Sequence, residues 1–214
     1  VLDRGLDDQG NEYSSVIYGK NCELEIIDGD PTQTHEGRYD YEKTVNAEDG
    51  QVQNQTVNVN GGIIAGAYLS ASATIGAVYM ESAKLLLRGG TITKNGTIPS
   101  GGYILCSGIY AKNTEFVMLG GNIVNNSSPS QAGTSGGGVY VSNFSIFYMY
   151  NGKISDNRTE CYGGGVSVSD ASNFVMYGGE ISANRAKGRG DGVYVYNSDM
   201  IISGGKVCGN TSTS

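Results

Sequence analysis

The sequence predicts an all-β solenoid, a parallel β-helix, and three observations carry that prediction. A motif recurs at near-constant spacing, each copy splits into short strings of two-residue period, and glycine doublets punctuate the strings at fixed places. Five copies align on the doublet, at residues 76–95, 107–126, 137–157, 164–184 and 191–210. The second glycine of the doublet is Gly90, Gly121, Gly152, Gly179 and Gly205, at successive steps of 31, 31, 27 and 26 residues. Five residues after each stands an asparagine: Asn95, Asn126, Asn157, Asn184 and Asn210. A period of this length marks units that bury their apolar faces by stacking on one another.

Within a unit the first string, IYA, VYV or VSV, alternates inward and outward as a strand does. The second string carries its inward pair at Leu85/Leu87, Phe116/Met118, Phe147/Met149, Phe174/Met176 and Met200/Ile202. The third carries one inward aliphatic, Ile92, Ile123, Ile154, Ile181 or Val207. Three short strands per unit, split by glycine turns and free of helical period, describe one coil of a β-helix, and about six or seven rungs are expected. Leucine-rich repeats would need about 20–29 residues with their own leucine spacing, and propeller blades about 40–45 residues with four strands. Coils about 4.8 Å apart stack equivalent side chains into phenylalanine, methionine and isoleucine columns. Glycine supplies the φ > 0 turns between faces. The five asparagines are expected in left-handed turns along one corner, their amides bonded into a ladder. Sequons at Asn95, Asn157 and Asn210 follow from turn asparagines preceding small polar residues.

The chain divides into an acidic N-terminal cap with irregular first rungs (1–75), regular repeats (76–210) and a short tail (211–214), together one structural domain. Residues 21–30 read as an opening strand and turn, 56–69 as one or two irregular rungs, and 31–55 as a polar loop excursion. A solenoid exposes its interior at each end. No C-terminal cap follows Asn210, so further domains of a longer protein or a second copy are expected to cover that end.

Glycine supplies 34 residues and proline only 3, which separates the chain from Pro/Gly-rich disordered segments. Residues 1–50 hold 13 acids against 4 Lys/Arg, and the remainder 8 against 10. That distribution offers no footprint for nucleic acid or anionic lipid, and no apolar run reaches the length of a membrane span. The four cysteines, Cys22, Cys106, Cys161 and Cys208, form no CxxC, and with a single histidine they make no zinc pattern. One or two disulfides and buried free thiols are both compatible with them.

The motif GGGVYV…F.M.GG.IS.N resembles the glycine-rich repeats of bacterial surface proteins with right-handed parallel β-helices, and is similar to the repeats of polymorphic outer-membrane proteins. The resemblance covers 76–210 firmly and 22–67 loosely. It implies an exported protein at the cell surface or outside a bacterium. That architecture hosts adhesins, autotransporter passengers, tailspikes and polysaccharide-cleaving enzymes, so function rests on the site.

The outward positions of the repeats hold no cluster of carboxylates. Asp156 and Glu180 lie at neighbouring third-strand positions, where a hydrolase would need two carboxylates some 5–9.5 Å apart. Asp28, Asp30, Glu36 and Asp40 form the densest acidic run but lack the spacing and glycine of a calcium loop. No nucleophile elbow, Walker loop or HExxH occurs. No catalytic residue, metal or cofactor is assigned. The outward tyrosines are the candidate binding residues: Tyr79, Tyr110, Tyr140 and Tyr194 on the first strand, and Tyr148, Tyr150 and Tyr177 on the second. Tyrosine favours strands in any case, but it also gives a rigid apolar surface with a polar tip. The expected function is a surface or secreted adhesin or display module that binds glycan or host protein without chemistry. A polysaccharide lyase or glycoside hydrolase and a rigid spacer are the alternatives. Clustered outward carboxylates would favour the enzyme, an uncovered tyrosine face binding, and a covered one the spacer.

Overall fold

The computed structural model describes residues 15–39, 55–69, 76–97, 106–128 and 136–211, which wind into a parallel β-solenoid. Three parallel sheets are each six strands deep. The first stacks Ile17–Lys20, Val78–Glu81, Ile109–Lys112, Val139–Ser142, Val166–Val168 and Val193–Val195. The second stacks Glu23–Ile26, Lys84–Leu87, Glu115–Met118, Ile146–Met149, Asn173–Met176 and Asp199–Ile202. The third stacks Ile63–Ile64, Thr91–Thr93, Asn122–Val124, Lys153–Ser155, Glu180–Ser182 and Lys206–Cys208. Beyond the expected three strands, each turn adds a two-residue strand after its asparagine, in a fourth ladder of Tyr68–Leu69, Gly96–Thr97, Ser127–Ser128, Arg158–Thr159 and Arg185–Ala186. Four full turns lie between Val78 and Ala186, where six or seven rungs were expected; the first coil is interrupted and the last has three strands.

The interior follows from exact-repeat stacking of apolar side chains. Phe116, Phe147 and Phe174 are fully buried, with ring centroids 4.4 and 4.7 Å apart. Met118, Met149 and Met176 form the next column, and Ile92, Ile123, Ile154 and Ile181 the one beyond. The glycine doublet is required by geometry. Gly179 has φ +85°, and a Cβ there would lie 2.8 Å from the carbonyl oxygen of Gly152 in the preceding coil. No L side chain meets both conditions without displacing backbone.

The asparagine ladder is present and fully bonded. The Asn157 carboxamide oxygen accepts from the backbone N–H and the Nδ2 of Asn126, both at 3.0 Å, while its own Nδ2 donates to Ile123 O at 2.8 Å and to Asn184 Oδ1 at 3.0 Å. Asn95, Asn126 and Asn184 repeat both donations, and Asn210 Nδ2 donates to Ile181 O and Cys208 O. Asn95, Asn126, Asn157 and Asn184 have no exposed surface, so packing accounts for the sequons at Asn95 and Asn157. One expectation is corrected. The left-handed residue is the one before each ladder asparagine, namely Lys94, Asn125, Asp156, Ala183 and Gly209. That turn aims the following amide inward, where the neighbouring coil can reach it.

A second ladder runs along the corner between the first and second sheets. The hydroxyls of Thr114, Ser145, Ser172 and Ser198 accept from the backbone N–H of Ala83, Thr114, Ser145 and Ser172 at 2.9–3.3 Å. Before the regular coils, Thr34–Tyr39 and Gln55–Asn60 pair as an antiparallel hairpin. The excursion expected at 31–55 therefore extends through Asn60, and the valines of TVNVN belong to a hairpin arm; the rung resumes at Ile63. Residues 40–54 and the N-terminal 1–14 lie outside the described residues.

Replacing Asn157 by alanine strips the acceptor shared by two Asn126 donors and leaves Ile123 O without its side-chain partner. We expect a loss of about 2–5 kcal/mol, since each orphaned buried polar group costs about 1–3 kcal/mol. Urea unfolding reads this as a lower midpoint at unchanged slope. A loss within about 0.5 kcal/mol, the level of surface substitutions, would show that the ladder does not hold the coils together.

Candidate functional site

The outward face of the first sheet carries a tyrosine stack. Tyr18, Tyr79, Tyr110 and Tyr140 occupy one column, with centroids 5.2, 5.0 and 5.0 Å apart. Pointing outward has not made the middle of this column accessible. Tyr110 and Tyr140 are 5 % and 8 % exposed and pack with the buried Cys106. Their hydroxyls bond Ser142 Oγ at 3.1 Å and Ser169 Oγ at 2.8 Å. Cys106, on the chain entering Ile109–Lys112, supplies part of the cover. A Cβ on Gly136 would stand 3.0 Å from Tyr140 Cβ, and one on Gly190 2.8 Å from Tyr194 Cβ. Tyr79 and Tyr194 are half-buried, and Tyr194 stacks on Tyr162 at 4.8 Å. Burial pushes the Tyr110 phenol up to about 12, and raises those of Tyr79 and Tyr140 as well.

The second sheet presents the accessible surface. Its outward column runs Glu25, Leu86, Val117, Tyr148, Val175 and Ile201 in register. Beside it Arg88, Leu119, Tyr150, Tyr177 and Ser203 continue the ladder by backbone bonds to the coil before. Tyr150 and Tyr177 are 47 % and 46 % exposed and stack at 4.8 Å with a 17° tilt, and Tyr148 lies 6.5 Å from Tyr150. Rings stacked at this spacing turn their faces toward each other, so the free faces are those at the ends of the pair. Above Tyr177 stands Ser203, exposed and too small to cover the ring. One tyrosine face thus opens beside Ile201, which is itself 58 % exposed. The ion pairs Arg88–Glu25 and Lys84–Glu115 rim the strip.

Phe144 was not singled out by sequence. It stands 78 % exposed at the corner entering Ile146–Met149, with φ 61°. A bulky side chain rarely adopts that conformation, which costs about 1–3 kcal/mol. Phe144 and Ala171 are the extra corner residues of their two coils, visible in sequence as one more residue between first and second strings than in the copies at 76–95 and 107–126.

Glu180, Asp30 and Asp28 have structural partners. Glu180 accepts from Ser182 and pairs with Lys153 at 3.8 Å, while Asp156 forms the left-handed turn before Asn157. Asp30 accepts from Thr32, Asp28 accepts from Gly62 N, and Asp40 lies outside the described residues. Among the described residues no group of three or more His, Cys, Asp or Glu side chains is placed to hold a metal ion. Cys22 and Cys208 are exposed free thiols and Cys106 a buried one, while Cys161 is half-buried. No family model, curated protein or solved structure matches the chain.

Burial lifts the Cys106 thiol from 9.0 to about 12. A raised value means that its contribution to stability is complete below the ordinary thiol range and is lost as pH rises toward the folded value. At neutral pH a chromogenic disulfide reagent should therefore label Cys22 and Cys208 quickly and Cys106 only after unfolding. Labelling of native Cys106 as fast as Cys208 would refute the closed tyrosine–cysteine cluster.

Proposed function

We propose that this chain is a right-handed β-helical display module of a bacterial cell-surface or secreted protein, binding glycan or host protein through its second sheet without chemistry of its own. The observation that carries this reading is the open ring face of Tyr177 above Ser203, beside Tyr150 and Ile201. A sugar ring or an apolar side chain fits on such a face, because tyrosine offers rigid apolar area with a hydroxyl at its edge. A solvent-facing apolar strip of this kind marks interaction surfaces in soluble proteins. The right hand follows the handedness preference of crossovers between parallel strands. The repeat motif supports an exported location through its likeness to surface-protein repeats. The burial of Tyr110 and Tyr140 favours a second role, rigidity as a spacer, for the first sheet alone.

The test is a screen of the chain on glycan and host-matrix arrays, with Tyr177→Ser and Tyr140→Ala beside it. Tyr177→Ser should weaken a hit about tenfold, in line with the loss of a central aromatic contact, and cost the fold no more than the roughly 0.5–1.5 kcal/mol of its stack on Tyr150. Tyr140→Ala should instead destabilise the fold, by about 2–4 kcal/mol for a buried stacked ring with a bonded hydroxyl. A hit indifferent to Tyr177, or no hit with any variant, would reject the second sheet as a binding face.

A further inference from the structure

The fourth ladder carries an arrangement that stacking alone does not favour. Arg158 and Arg185 lie in register on adjacent coils, in an outward column whose preceding members are Gly96 and Ser127. Parallel partners sit about 4.8 Å apart, and like charges facing each other there are destabilising. Glu160 and Lys187, two residues further along each coil, continue the ladder through bonds to Ser128 O and Thr159 O. Glu160 spends both carboxylate oxygens locally, accepting from Arg158 Nη2 at 2.8 Å and from Lys187 Nζ at 3.1 Å. The Arg158 bond, with Lys187 adding to it against the effect of burial, holds the Glu160 carboxyl below its usual range.

Three cations and one carboxylate therefore surround a cleft of about 180 Å³, completed by Thr159. Positive charge is concentrated here in a chain whose net charge is −7. The volume is far above the roughly 10–15 Å³ that one water requires, so a multi-atom anion fits. The cleft is open: the Arg158 and Lys187 side chains are 50 % and 63 % exposed, whereas Glu160 is only 10 % exposed. Glu160 thus braces the two cations from behind, and their outer N–H groups remain toward solvent. Guanidinium groups match oxyanions with paired N–H donors, and a rigid strand spares part of the cost of positioning them.

We propose that this cleft is an oxyanion site for an acidic polysaccharide, taking a sulfate ester or a uronate carboxylate from a sugar chain that lies across the fourth face. The openness of the cleft favours an anion carried on a polymer, which enters while its neighbouring sugars stay in water. The site is separate from the Tyr177 surface, since the third sheet on one side and the first on the other stand between the two faces.

Titration calorimetry of the whole chain with a heparin-derived oligosaccharide, an oligogalacturonate and neutral maltohexaose tests this. Binding of at least one acidic oligosaccharide, absent for the neutral one and weakened as salt rises, is expected. The heparin and galacturonate arms distinguish sulfate from carboxylate. The double substitution Arg158→Gln/Arg185→Gln should weaken binding at least about tenfold, and Lys187→Gln, which removes one cation and its pair with Glu160, about threefold. Tyr177→Ser should leave this binding unchanged, which separates failure here from failure of the second-sheet reading. Binding of neither acidic oligosaccharide at low salt would overturn the proposal. So would unchanged affinity in the Lys187 variant together with unchanged affinity in a double variant of native circular dichroism.

Discussion

Successive coils hydrogen-bond to one another peptide by peptide, without offset, and that constraint dictates what every other position can be. Val78, Ile109, Val139, Val166 and Val193 stand directly over one another, as do Leu85, Phe116, Phe147, Phe174 and Met200. A residue in such a column must pack against its own equivalents. Apolar side chains do so readily. A side-chain amide in the interior must find its bonds within the column, because an unbonded buried amide is costly. Asparagine meets this condition, with an acceptor facing one coil and donors facing both the other coil and the backbone. The threonine and serine hydroxyls at the neighbouring corner meet it more simply, each accepting one N–H from the coil before.

What the sequence shows directly is what repeats along columns. The inward phenylalanines, methionines and isoleucines and the asparagine ladder are legible because each column keeps nearly one residue type through its register. The hydroxyl ladder is harder to see. Its members, Thr114, Ser145, Ser172 and Ser198, are of mixed type, lie beside turns, and extend a column that Ala83 joins only as a donor. The fourth ladder is two residues wide, too short to show alternation. The hairpin was obscured for a different reason. Val57 and Val59 alternate as a rung strand would, and sequence periodicity does not distinguish an antiparallel partner from a parallel one.

The candidate surface was legible by residue type but not by exposure. Both tyrosine sets occupy outward strand positions, and alternation treats them alike. Their environments differ because of chain that is not in either strand. Cys106, on the chain entering the first strand of its coil, packs on Tyr110 and Tyr140, and Gly136 and Gly190 lie where a Cβ would crowd the Cβ of Tyr140 and Tyr194. Nothing among the described residues does the same over Tyr150 and Tyr177. Long-range cover of this kind comes from residues outside the alternating strings, such as Cys106, which the two-residue period does not report.

In a stacked repeat, a residue that matches its column is already explained by stacking, so the informative positions are those where a column breaks. Ser203 ends the Tyr150–Tyr177 stack with a side chain too small to cover the last ring. Phe144 adds a residue at a corner and holds a phenyl group in solvent at positive φ. Arg158 and Arg185 repeat, but against the sign of their own interaction, and Arg158 is held by a glutamate outside the column. None of the three improves the packing of the core, and the last two carry an energetic cost that the core does not require. Stability resides in the interior ladders, and the outer columns are free to depart from repetition coil by coil. A change of outer residue therefore alters what the rod presents without disturbing the bonds that keep its coils in register.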